Sequence, residues 1–180
     1  MKTLFTYFYT VLIAFCITSC ETDVPETDTI APSFSFKITG DGFDRTFTQD
    51  DDLEDIQLNL RAGISYDFLL GGIDQGGVRQ IQFQHTPDVT PITTPIPSPW
   101  VEINNTLTTV LRFNGDPNNA ITAQLLSGTF TATLGDDQMT FDTFYIRVED
   151  FGGESGPPFN ITEGLLKISI AEQPTAVINL

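Results

Sequence analysis

The chain has 180 residues, with 24 acidic residues against 8 basic ones and a formal net charge of −16. Such a surface repels phosphate backbones and anionic lipid head groups, which argues against nucleic acid and against electrostatic docking on a membrane. Two cysteines and one histidine leave no disulfide framework and no Cys/His zinc cluster.

The head of the chain sets where the molecule works. Lys2 gives a positive start, Leu4 to Phe15 is mostly apolar, and the small residue Ser19 stands directly before Cys20. A membrane-spanning helix needs about 20 apolar residues, so this shorter run reads as a secretory signal over residues 1–19. Ile17-Thr18-Ser19-Cys20 resembles the lipobox of bacterial lipoproteins. The resemblance implies that Cys20 receives lipid, becomes the first residue of the mature chain and anchors it in the cell envelope, on an outer membrane. Glu21 and Asp23 also resemble the acidic export signal that follows the cysteine in surface lipoproteins. Cys16 leaves with the signal, so the mature chain carries Cys20 alone, with no internal disulfide and no thiol nucleophile.

Residues 20–32 mix acids, threonines and two prolines with almost nothing to bury, the composition of an extended tether. Fully stretched, it would reach about 40 Å. Asp28-Thr29-Ile30 resembles a short O-glycosylation acceptor of exported Gram-negative proteins, and an unmodified linker is the alternative.

From Ser33 the apolar period becomes two. Phe34, Phe36 and Ile38 alternate with polar residues, Thr39 to Gly42 offers turn chemistry, and Phe43 to Thr48 returns as a hairpin partner. The acid run Gln49 to Asp55 lacks the spacing and central glycine of an EF-hand loop and reads as a solvated loop. Ile56 to Leu60 and Ile64 to Leu70 follow as strands, Gly71 to Gly77 breaks the pattern, and Val78 to Gln84 resumes it.

Residues 85–100 carry five prolines and cannot form a central strand, so this is a long surface loop or an edge crossing between sheets. Trp100, at its end, is a candidate platform for stacking a sugar, or else a plug at the core edge. His85 has no second histidine or cysteine with which to share a metal and receives no catalytic role. Leu107 to Phe113, Ile121 to Leu125, Phe130 to Leu134, Thr143 to Asp150 and Gly164 to Ile170 complete the expected strands.

No helical period sustains itself, and short strands recur with turns between them, which predicts a single all-β domain over 33–180, an antiparallel β-sandwich. Tyr66 to Phe83, an alternating strand ending in an Asp-x-x-Gly turn, resembles the second and third strands of bacterial immunoglobulin-like and cadherin-like domains. Thr143 to Ile170 resembles their closing hairpin. In an immunoglobulin-like sandwich the turns at Asp74 and after Asp150 share one end, so Asp74, Glu149, Asp150 and Glu154 form a candidate calcium site of carboxylates and loop carbonyls. The alternative is that Asp74 and Asp150 each cap their own turn.

The function expected from these features is a lipid-anchored, non-catalytic envelope module that binds a glycan or a protein partner. A spacer lipoprotein without a ligand is the alternative, and a glycoside hydrolase working through paired carboxylates is the remaining one, which no motif supports.

Overall fold

The structure, a computed structural model, describes residues 27–136, 139–153 and 156–180. The signal segment, Cys20 and Glu154 lie outside the described residues. The body is all-β, built from two sheets packed face to face.

Among the described residues eleven strands follow in order: β1 (Ser33–Gly40), β2 (Phe43–Thr48), β3 (Ile56–Arg61), β4 (Ser65–Ile73), β5 (Val78–His85), β6 (Val101–Asn104), β7 (Thr109–Asn114), β8 (Ala123–Thr131), β9 (Thr140–Asp150), β10 (Ile161–Ala171) and β11 (Ala176–Asn179). A short 3-10 turn, Pro117–Asn119, is capped by the Asp116 carboxylate. The smaller sheet runs β2-β1-β4-β8 and the larger β11-β3-β10-β9-β5-β7-β6. All pairings are antiparallel except β3 with β10.

Alternation decides which side chains are buried. Phe34, Phe36 and Ile38 of β1 face inward with Tyr66, Phe68 and Leu70 of β4, and meet Ile81 and Phe83 of β5 and Phe144, Ile146 and Val148 of β9. Phe83 lies 5.1 Å from Phe36 and 5.2 Å from Phe144 between ring centroids, and Phe130 lies 5.4 Å from Phe144. Offset and edge-on rings at such spacings add to the area they bury. This aromatic centre supplies much of the buried apolar area that holds the two sheets together.

The β1–β2 hairpin turns on Asp41 and Gly42, both at positive φ (51° and 75°). Asp-Gly is the pair that such a two-residue turn selects.

Elsewhere the expected strand boundaries shift. β4 continues through Gly71 and Gly72 instead of breaking there, because a β-carbon on Gly72 would come within 2.6 Å of Ile81 Cδ1, so the missing side chain is what lets the two sheets meet. Ala123 to Thr131 is one strand where the pattern suggested two. Ser127, Gly128 and Thr129 blur its alternation, and Gly128 leaves room for the Phe68 ring.

The proline segment is a crossing that runs along the outer edge of β8. Thr93 N–H donates to the Thr129 carbonyl at 2.8 Å, Thr131 N–H to the Pro91 carbonyl at 3.1 Å, and Thr129 N–H to Thr94 Oγ1 at 3.0 Å.

Candidate functional site

Three connections bring distant residues to one end of the sandwich. β1 begins beside the end of β4, with Ser33 opposite Ile73; the Asp74–Gly77 turn then carries the chain from β4 across to β5, and β5 begins opposite Asp150 at the end of β9. Asp28, Asp74 and Asp150 therefore meet. Each offers a carboxylate oxygen within 4.8 Å of the other two, and all three residues are buried.

Each aspartate is fixed by its own local chemistry. Asp28 Oδ1 accepts from Ile30 N–H at 2.9 Å, and the Asp28 N–H donates to the Gly152 carbonyl at 3.1 Å. Asp74 Oδ2 accepts from Gly76 N–H at 2.8 Å. Asp150 Oδ1 accepts from Gly152 N–H at 2.9 Å and Asn160 N–H at 2.7 Å, while Oδ2 accepts from Asn160 Nδ2 at 2.7 Å. Asn160 Nδ2 also reaches the Asp28 carbonyl at 3.0 Å. Asp74 and Asp150 thus each cap their own turn, and their carboxylates also lie close to each other.

The electrostatics are unfavourable as they stand. None of the three carboxylates makes an ion pair among the described residues. Burial pushes the Asp74 carboxyl up to about 6, and the charges of Asp28 and then Asp150 push in the same direction, against the Gly76 hydrogen bond. A divalent cation would reverse this balance. Calcium binds carboxylate and carbonyl oxygens at about 2.3–2.6 Å, so the oxygens around one ion stand no more than about 5 Å apart, a limit that the three carboxylates meet.

Glu149 does not join the group. It faces the outer side of the larger sheet, where Oε1 pairs with Arg79 and Oε2 with Arg147 at 2.7 Å, so its charge is already matched. The alternation along β9 separates it from Asp150. Asp28, which the sequence places in a tether, belongs instead to the body. Its Asp-Thr-Ile turn was the readable signal, hidden by the polar composition around it.

Trp100 lies in the core edge. It is 5% exposed, packs on Phe113 at 6.0 Å between centroids, and donates its indole N–H to the Leu125 carbonyl at 3.0 Å. It offers no open face for a sugar. The acid run is an ordered loop in which Asp51 accepts from Thr48 N–H at 2.8 Å and pairs with Arg45 at 3.1 Å, while Leu53 tucks into the core.

Among the described residues no helix is long and apolar enough to cross a membrane. No protein-family model, curated protein or solved structure matches the chain.

Proposed function

We propose that the chain is a lipid-anchored, non-catalytic module of the bacterial envelope, whose immunoglobulin-like body is fastened by calcium at the end where the N-terminal leash enters. The convergence of Asp28, Asp74 and Asp150 carries this reading: three buried carboxylates from three remote segments, none of them in an ion pair among the described residues. Calcium there ties the entering chain to two turns of the sandwich, so that the body meets its glycan or protein partner in a fixed attitude.

The immunoglobulin-like assignment is supported by strand order. β1-β4-β8 corresponds to A-B-E and β5-β9-β10 to C-F-G, while the parallel pairing of β3 with β10 joins the first part of the chain to the last long strand. The proline crossing takes the edge that strand D would hold. Lipid on Cys20 is supported by the apolar run and by the Ile17-Thr18-Ser19 stretch directly before it.

Thermal unfolding of the full chain in calcium and in chelator tests the cation. The expected result is a rise of several degrees at millimolar calcium that Asp74→Asn abolishes. An unchanged midpoint would remove calcium from the reading. Intact mass of the protein extracted from membranes tests the anchor separately, since a terminus other than an acylated Cys20 would remove it.

A further inference from the structure

At the end of the larger sheet away from the aspartates, β5 stops at His85, opposite Thr109 at the start of β7. Gln84 is its last residue paired with β9, opposite Tyr145. β9 itself begins at Thr140, so its first residues have β10 on one flank and, among the described residues, no strand on the other. The chain leaving β5 turns into the proline crossing instead, tied to β9 by Thr86 N–H, which donates to Asp142 Oδ2 at 3.3 Å. A hollow of about 280 Å³ occupies the step this leaves, and Gln84, Thr86, Thr108, Phe141, Asp142 and Thr143 border it.

Alternation along β9 turns Phe141 and Thr143 to the outer face and Asp142 between them inward. Phe141 is 63% exposed, a large apolar ring standing in solvent at the margin of the hollow. The side chains of Gln84, Thr86, Thr108 and Thr143 make no hydrogen bond among the described residues, and none of their polar atoms is sealed from solvent. Asp142 is already engaged: Oδ1 accepts from Thr143 N–H at 2.7 Å and Oδ2 from Thr90 Oγ1 at 2.7 Å. The hollow thus offers a ligand one open ring and four neutral groups that each both donate and accept. It offers no unengaged charge.

That inventory selects among ligands. An anion would approach a chain whose net charge is −16. An apolar side chain of a partner would cover the ring, yet strip water from three hydroxyls and an amide without replacing their hydrogen bonds. A neutral sugar answers both needs, packing a C–H face on the ring and matching hydroxyls to hydroxyls and amide. Size agrees: if a cavity of about 150 Å³ takes a six-atom ring, 280 Å³ takes roughly eleven heavy atoms, about one hexose. We infer that this hollow binds one neutral hexopyranose unit of a glycan, stacked on Phe141 and hydrogen-bonded by Gln84, Thr86, Thr108 and Thr143. Phe141 thereby supplies the platform that the buried Trp100 does not. The inference rests on the glycan arm of the proposed function and gives it a place in the fold, but depends on neither calcium nor the lipid anchor.

The test is a titration of the ¹⁵N-labelled full chain with the methyl glycosides of glucose, galactose and mannose, following the backbone amides. The expected result is that at least one glycoside saturates with a Kd of about 1 mM, moving the resonances of Thr86, Phe141 and Thr143. Phe141→Ala, at an exposed position that leaves the core intact, weakens it about tenfold, and Phe141→Tyr retains it. If no glycoside saturates, the glycan reading and the inference fall together. If one saturates without moving these resonances, or binds Phe141→Ala as tightly, glycan binding stands but lies elsewhere, and the inference alone falls. N-acetyl-leucine amide represents a protein side chain: saturation of the same resonances more tightly than by any glycoside assigns the hollow to a protein partner and overturns the inference.

Discussion

Gly76 stands so close to Asp28 that a β-carbon on the glycine would fall 2.4 Å from the carboxylate Oδ2. The turn carrying Asp74 therefore accepts Asp28 only because residue 76 has no side chain. Gly76→Ala should push Asp28 out of the cluster, costing about 1–3 kcal/mol and most of the calcium response. Chemical unfolding and calcium calorimetry on the variant check both effects.

Asp74 makes stability depend on pH in a definite direction. Its folded pKa, about 6, lies above the ordinary 3.8, so its ionisation opposes folding. Its contribution is most favourable below pH 4 and is lost as pH rises through 6. The loss is about 3 kcal/mol at most. In chelator, the wild type should therefore lose stability relative to Asp74→Asn between pH 4 and 7. Saturating calcium should flatten the difference. Urea titrations across that range measure it.

Glu149→Gln separates the outer ion-pair network from the aspartate cluster. Glu149 is 4% exposed and neutralises parts of Arg79 and Arg147. Its loss should destabilise the chain by about 1–3 kcal/mol while leaving the calcium-dependent shift in Tm intact. A lost calcium response in this variant would return Glu149 to the cation site.

Trp100 is the sole tryptophan, and its burial makes it a clean reporter. Its emission should be blue-shifted in the folded state and move to the red in one step on unfolding. Trp100→Phe keeps much of the packing but strips the donor from the Leu125 carbonyl, at a cost of about 1–2 kcal/mol. Trp100→Ala should cost about 3–5 kcal/mol. Equilibrium denaturation followed by circular dichroism compares the two.

Strand type and order were legible wherever alternation was strong, as in β1, β5, β9 and β10, because period-two burial is written directly into side-chain polarity. The approach of Asp74 to Asp150 was legible too, since it follows from where the turns of a sandwich lie. Asp28 was not, because nothing in a run of acids and threonines tells a docked segment from a loose one. β6 and β11 are four-residue edge strands whose pairing is set by their neighbours and not by a pattern of their own. The parallel alignment of β3 with β10 joins residues far apart in the chain, and local polarity carries no record of it. Glu149 and Asp150 look alike in sequence, yet one residue of register sends them to opposite sides of the sheet.

Where copies of a protein meet at high local concentration, exposed strand edges can recruit one another into fibrils. Along β8 that growth finds few free rungs: those at Leu125, Thr129 and Thr131 are taken by the Trp100 indole, Pro91, Thr93 and Thr94, and the ring nitrogens of the crossing have no proton to lend. This flank is a poor template for other copies even where the molecules crowd.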